Sequence, residues 1–306
     1  MAASIDNLVN VNFIKGNIDL LNFGLKLGGS GQHKPYVFPA PLEALIFALF
    51  GASEQGAFYI PRPIVNGTQA LFQDSAGTVP VTADGDPVGK MLDQSGNGNH
   101  AIQTVSGSRP VYRTDGTLHW LQGNGTNSFM LISGSRTSLS FMTDGTGATV
   151  QMMFSGDWPA TDGGLLFGTS YYSGTYNGIN TFVAIQSGAV CRYRHVNPSD
   201  SKGNTPELDN ATAANEPTIF EFRQSSANGN DWSAVTQNGV VSSNASLVTE
   251  TTDKDLRIFG IPERFTTGTI VQGPETKFHG GIIVSKRISD MSDSRDYLAA
   301  LAGVTL

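Results

Sequence analysis

Four aromatic residues stand where a sugar could be held. Trp158 lies in Gly156-Asp-Trp-Pro-Ala-Thr-Asp162, a loop-like context, and Tyr171, Tyr172 and Tyr176 cluster in Thr169-Ser-Tyr-Tyr-Ser-Gly-Thr-Tyr-Asn-Gly178. Aromatic faces stack on sugar rings while Asn and Asp hydrogen-bond hydroxyls. The same residue types are enriched in protein–protein interfaces, and tyrosines at this spacing also pack within strands, so all three readings stay open. Cleaving a glycosidic bond would further require two carboxylates flanking it. Glu250, Asp253 and Asp255 come nearest, but they fall in a Thr-rich turn with the wrong spacing. Carboxylates distant in sequence could still assemble.

Other chemistries find less support. His33, His100, His119, His195 and His279 form no His-x-x-x-His pair of the kind that binds zinc. The chain contains no Gly-x-Ser-x-Gly elbow, no Gly-rich dinucleotide loop and no phosphate-binding loop. Cys191 is the single cysteine, so no disulfide can form within the chain. Its neighbours Val190 and Arg192 suggest a strand, where an inert buried thiol is the expectation.

The elements that must position these residues follow from composition and pattern. Charged residues make up 15 %, below the roughly 25 % of ordinary domains, and there are 36 glycines, which suits tight turns and polar strand faces. The net charge of −7 comes with no basic stripe, which argues against nucleic acid and against an anionic membrane surface. The first residues lack a basic segment followed by an apolar core, so no signal peptide is expected.

Residues 64–303 read as many short strands separated by Gly/Asn/Asp/Ser turns. The clearest are Thr149–Phe154, Gly164–Gly168, Thr181–Gln186, Val190–His195, Thr218–Arg223, Ala234–Gln237, Leu256–Gly260 and Gly280–Ser285. Between Asn197 and Pro217 the chain is polar and reads as a long exposed loop. Asp290–Ala302 suits a short helix with Tyr297, Leu298 and Leu301 on one side. Trp120 and Trp232 are expected in the core.

Residues 1–63 differ from the rest. Val9, Val11 and Phe13, and then Leu21, Phe23, Leu25 and Leu27, alternate with other residues as strands do. Leu42, Leu45, Ile46, Leu49 and Phe50 follow helical spacing, with Pro41 at the start and Gly51 at the stop. The run is far shorter than the roughly 18–20 residues of a membrane span. A helix apolar nearly all round must be buried, either beneath its own domain or against other copies. This reading makes residues 1–63 a docking and oligomerisation segment and those five residues its assembly contacts.

A further pattern points to a family. Leu71-Phe-Gln-Asp-Ser-Ala-Gly-Thr78, Asp93-Gln-Ser-Gly-Asn-Gly-Asn-His100, Ser108-Arg-Pro-Val-Tyr-Arg-Thr-Asp-Gly-Thr117 and Leu121-Gln-Gly-Asn-Gly-Thr-Asn-Ser-Phe-Met-Leu131 follow one another. Together they resemble the opening of a concanavalin A-like (laminin-G-like) jelly roll as found in tailed-phage virion proteins. Lys277-Phe-His-Gly-Gly-Ile-Ile-Val-Ser-Lys-Arg-Ile-Ser289 looks like the closing strand of the same modules. The resemblance covers about residues 64–303.

The resemblance implies an all-β chain, a concanavalin-like antiparallel jelly-roll sandwich over 64–306 preceded by a strand and short-helix assembly segment over 1–63. It implies a non-enzymatic bacteriophage virion protein assembled in the bacterial cytoplasm and displayed on the particle surface. The expected role is attachment to a host glycan as a tail-fibre, baseplate or receptor-binding protein. Capsid decoration is the alternative and polysaccharide depolymerisation the third reading; glucanase-type relatives carry Glu-x-Asp-x-x-Glu, which is missing here. Implied partners are other virion proteins, further copies of the chain (a trimer before other states) and a surface glycan. Some relatives tie the early Asp/Asn turn with calcium. Asp93 and Asn99 occupy the matching positions, and calcium takes such oxygen donors, but a local turn bond made by Asp93 is the preferred reading.

Overall fold

The computed structural model describes residues 41–124, 127–142, 144–156, 164–168, 178–183, 190–196, 207–209, 216–225, 229–237, 239–245, 255–259 and 276–306. In chain order it begins with helix α1 (Leu42–Phe50) and strands β1 (Gly56–Tyr59), β2 (Ile64–Val65), β3 (Thr68–Gln69), β4 (Leu71–Phe72), β5 (Lys90–Met91) and β6 (Ala101–Ile102). Then come β7 (Val111–Thr114), β8 (His119–Gln122), β9 (Met130–Ile132), helix α2 (Ser135–Ser138), β10 (Ala148–Ser155), β11 (Gly164–Gly168), β12 (Gly178–Val183) and β13 (Val190–Val196). The last elements are β14 (Glu207–Asp209), β15 (Thr218–Ser225), β16 (Gly229–Thr236), β17 (Gly239–Ala245), β18 (Leu256–Ile258), β19 (Lys277–Val284) and helix α3 (Ser292–Leu301).

The chain is all-β, and the strand pairings are antiparallel. One sheet runs β17-β16-β15-β10-β19-β8-β7, with β1 also on β19; the other runs β14-β13-β12-β11-β18-β9-β6-β5-β4. Their inner faces form one core. Val150, Met152, Phe154, Phe220, Phe222, Phe278 and Ile283 of the first sheet meet Leu71, Met91, Met130, Ile132, Phe167, Leu256 and Ile258 of the second. This is the sandwich of a concanavalin-like jelly roll.

A third layer lies on the outer face of the first sheet. Side chains alternate between faces along a strand, so the neighbours of the core residues, Phe58, Met153, Ile219, Ile282 and Val284, point outward. There they pack with Leu42, Leu45, Leu49 and Phe50 of α1 and with Leu298 and Leu301 of α3. Every residue of β10 is therefore buried. The strand sits between two others with packed layers above and below, so Thr149, Gln151 and Ser155 are buried along with its apolar residues.

Local chemistry explains several element ends. Asn66 and Gly67 both have positive φ, 48° and 74°, as the two-residue turn joining β2 and β3 requires. At the end of α1, the Gly51 N–H caps the Phe47 carbonyl at 2.8 Å and the Lys286 ammonium donates to the Ala48 carbonyl at 3.1 Å.

Two expectations change here. Residues 41–63 do not stand apart from the sandwich. Pro39–Leu306 forms one compact unit, and Gly56–Tyr59 pairs with Val284–Gly281, so the boundary expected after residue 63 falls inside a single body. The assembly residues are likewise redirected. Leu42, Leu45, Leu49 and Phe50 are buried in the chain's own core, and Ile46 packs half-buried against it. The cause is the bare outer face of the first sheet, which needs an apolar cover. Phe47 faces outward instead, 76 % exposed.

The Asn197–Pro217 segment is also more than a loop, because Glu207–Asp209 pairs with Arg192–Val190. Residues 1–40, with their alternating apolar stretches, lie outside the described residues. No described helix is long and apolar enough to cross a membrane.

Candidate functional site

The turn that carries the family resemblance is a structural latch. The Asp93 carboxylate accepts four hydrogen bonds. Oδ1 takes the N–H groups of Phe58 and Ser95, each at 2.8 Å. Oδ2 takes the Ser95 hydroxyl at 2.8 Å and the Asn99 N–H at 3.0 Å. Asn99 continues the tie, with Nδ2 donating to the Gly56 carbonyl at 2.7 Å and Oδ1 accepting from the Ser138 hydroxyl at 2.6 Å. The Tyr59 hydroxyl donates to the Asn99 carbonyl at 2.5 Å, and burial pushes that phenol well above its ordinary pKa.

This geometry corrects the calcium assignment of Asp93 and Asn99. Four donors converge on the carboxylate, so the electrostatic surroundings are the opposite of what a cation needs. The local side-chain-to-backbone turn is what the sequence builds here, extended across the fold to Phe58. Among the described residues no group of three or more His, Cys, Asp and Glu side chains is placed to hold a metal.

The other acidic residues of the resemblance do similar work. Asp74 accepts from the N–H groups of Gly77, Thr78 and Val79 and from the Thr78 hydroxyl. These bonds, the Thr78 hydroxyl foremost, hold its pKa down to about 2. Asp115 accepts from the N–H groups of Thr117 and Leu118. The motif is thus a set of turn formers and not a set of reactive groups.

The arrangement with more chemical potential was not foreseen. It lies on the outer face of the first sheet, at the end where β8 and β19 meet. Leu121 and Phe278 face the core and pair with each other, so Trp120, Gln122, Lys277 and His279 fall on the opposite face. Gln122 and Lys277 are register partners, as are Arg113 and Trp120. The Lys277 ammonium sits 4.9 Å from the centre of the Trp120 ring, within cation–π range. The imidazole of His279 lies on the indole at 6.4 Å between ring centres. Beneath them the Ser155 hydroxyl and His279 Nε2 share a 2.7 Å hydrogen bond. A bulge in β10/β19 pairing after Met153 lets His279 reach across, as bulges commonly re-aim side chains.

Trp120, Gln122 and Lys277 are half-buried, whereas Ser155 and His279 are 6 % and 4 % exposed. The Trp120 Nε1 and His279 Nδ1 atoms are buried with no hydrogen-bond partner among the described residues. Leaving such groups unpaired costs roughly 1–3 kcal/mol each. A hydroxyl bonded to an imidazole is the start of a nucleophile and base, but among the described residues no group orients the imidazole from its Nδ1 side, and both residues are buried. The pair forms the floor of the patch.

Burial, reinforced by Lys277, pulls the pKa of His279 from its usual 6.5 to about 4. The unfolded chain therefore takes up this proton first as the pH falls. Stability from the neutral imidazole is fully present above about pH 6.5 and is lost progressively down to about pH 4. The full loss is on the order of 3 kcal/mol. Urea unfolding at pH 7 and pH 4.5 should show a smaller acid loss in His279→Gln than in the parent chain; equal losses would remove His279 as the cause.

No family model matches the chain, and no curated protein does. Solved structures do match. A mutant of Trypanosoma rangeli sialidase displaying trans-sialidase activity is 12 % identical with a TM-score of 0.46, over 86 % of this chain and 40 % of that one. The NanB sialidase from Streptococcus pneumoniae, in complex with 2-[(3-chlorobenzyl)ammonio]ethanesulfonate, is 15 % identical with a TM-score of 0.41, over 57 % and 27 %. A structure described as HCR/D-Sa-GBL1/C is 10 % identical with a TM-score of 0.41, over 70 % and 52 %. The chain thus spans well under two thirds of each of these proteins.

Because the matches include sialidases, the expectation of a chain without catalytic activity is withdrawn. At these identities and scores the likeness assigns no activity or substrate.

Trp158, Tyr171, Tyr172 and Tyr176 lie outside the described residues, as do the side chains of Cys191 and Trp232. Trp158 follows Ser155 by three positions in sequence. Trp120, expected in the core, is half-buried on the outer face. Of the nearest acidic triplet, Asp255 is described. Its carboxylate accepts from the Gly134 N–H and the Arg136 N–H, both at 3.0 Å, and ties the segment before β18 to α2. The alternation Trp120-x-Gln122 and Lys277-x-His279 is a signal in the sequence, but it becomes a site only once the register between these distant strands is known.

Proposed function

We propose that this chain is a surface component of a tailed-phage virion and that its sandwich attaches to a host glycan. The observation that carries the glycan reading is the patch on the outer sheet face, where a half-buried indole, an amide and an ammonium stand together at Trp120, Gln122 and Lys277. Aromatic surface with adjacent hydrogen-bonding groups is how proteins hold sugars, and the strands make the platform rigid. The virion part of the reading is supported by the resemblance over Leu71–Leu131 and Lys277–Ser289. Decoration of the capsid is the competing reading, and nothing in the patch favours it.

The test is binding of the purified chain to an array of bacterial surface polysaccharides, with Trp120→Ala beside the parent. Retention of defined glycans, lost in the variant, is the expected result. No retention across the array would refute attachment through this domain. Assaying the same mixtures for new reducing ends separates binding from cleavage.

A further inference from the structure

We infer that the glycan held at this patch is acidic, with a carboxylate seated on Lys277. The inference rests on the glycan reading above and adds the chemistry of the ligand.

The argument begins with charge. The chain holds 19 Lys and Arg against 26 Asp and Glu, so a cation can readily find a carboxylate. Several do: Arg113 pairs with Asp84, Arg223 and Arg287 with Asp231, Lys286 with Glu54, and Arg295 with Glu221. Lys277 has no carboxylate partner among the described residues, and its ammonium rests over the Trp120 ring. An ammonium on an aromatic face keeps its other hydrogen-bond directions free, since it carries three donors. A half-buried cation of this kind attracts an anion more strongly than a fully exposed one, because water screens it less.

The surroundings select an anion carried on a sugar over a free ion. His279 contributes no charge at neutral pH, since burial holds its pKa at about 4. Trp120 Nε1 is an unpartnered donor, and His279 Nδ1 is an unpartnered nitrogen beside it. Buried polar atoms are nearly always paired in native proteins, and among the described residues these two have no partner. An oxygen-rich ligand lying over the half-buried Trp120, Gln122 and Lys277 side chains would bring acceptors to this edge. Helix α3 covers the outer face at Gly280, where an added Cβ would meet Leu301 and Leu298, while Trp120, Gln122 and Lys277 stay half-buried.

The experiment uses the full chain and a panel of alginate, polygalacturonate and polysialic acid, each with its carboxyl-reduced counterpart, plus neutral dextran. Affinity is read by titration calorimetry at low and high salt. At least one acidic polymer should bind about tenfold more tightly than its reduced form. Lys277→Gln should erase that preference, and added salt should weaken the acidic polymer alone. Arg136→Gln, which removes an exposed cation elsewhere, should leave it unchanged, and thermal melting checks that each variant is folded.

Binding of a reduced polymer or dextran as tightly as the acidic ones, still dependent on Trp120, overturns the acidic inference and leaves glycan attachment standing. A preference for acidic polymers that survives in Lys277→Gln also overturns it. Absence of binding to every polymer removes the glycan reading together with the inference.

Discussion

Replacing Arg295 with alanine should cost the folded chain on the order of 3–5 kcal/mol, the usual effect of stranding a buried charge. The stranded group is Glu221, only 1 % exposed. Its Oε1 accepts from Gln151 Nε2 at 2.7 Å and from Arg295 Nε at 2.6 Å. Its Oε2 accepts from the Ser233 hydroxyl at 2.9 Å and from Arg295 Nη2 at 2.5 Å. The fork holds α3 onto β15, and hydrogen bonding to the carboxylate raises the guanidinium pKa further.

Without Arg295, two neutral donors remain for a full charge inside the protein. Glu221→Gln should cost less, because the guanidinium left behind is 30 % exposed and can reach water. A Glu221→Gln, Arg295→Met double variant should recover much of the loss, since replacing both partners of a buried pair is often close to neutral. Urea unfolding at pH 7 measures all three. An Arg295→Ala cost below that of Glu221→Gln would show that the buried carboxylate is not the expensive partner.

The second large effect is expected at Asp93. Asp93→Ala removes the acceptor for three backbone N–H groups and one hydroxyl. Each donor left buried and unpaired costs about 1–3 kcal/mol, though the Ser95 groups lie near the surface and will find water. A net loss of about 3 kcal/mol is reasonable on that footing. Asp93→Asn should recover little, because its amide nitrogen would point a donor at another donor.

Amide hydrogen exchange gives the sharper readout. Phe58 and Asn99 should exchange faster in the variants, with β1 loosened from its pairing while β10–β15 keeps its protection. Unchanged protection at Phe58 would mean that the pairing of β1 with β19 holds the strand alone. Calcium added to the parent chain should not restore or raise what this carboxylate contributes, since its oxygens are already engaged.

What could be read from the sequence follows from strand length. Strands of five to eight residues show enough alternation or apolar continuity to be recognised: Thr149–Phe154 was expected and Ala148–Ser155 is found, Thr218–Arg223 and Thr218–Ser225, Gly280–Ser285 and Lys277–Val284. Pairs such as Leu71–Phe72 and Ala101–Ile102 are too short to carry a period. The apolar helix over Leu42–Phe50 was legible with both its ends. Its partner was not, because burial on every side does not say whether the cover is one's own sheet or another chain.

The candidate site was illegible for a related reason. Trp120 and Lys277 meet through a register set between strands far apart in sequence, and His279 joins them through a bulge that no local pattern announces. The aromatic residues that could be singled out stood in Gly- and Ser-rich stretches. There, composition alone suggested exposure.

The position of β19 has a consequence for how the chain acquires its shape. This strand has β10 along one side and, in succession, β8 and β1 along the other. It lies at the middle of its sheet yet late in the sequence, and the bond from Gln55 N–H to the Ser285 hydroxyl spans 230 residues. During synthesis β1, β8 and β10 leave the ribosome with a gap between them and with unsatisfied edges exposed. Contacts of such separation slow folding, and waiting strands invite wrong partners. The closing segment acts as a keystone, and the body from α1 onward becomes cooperative only when it is set.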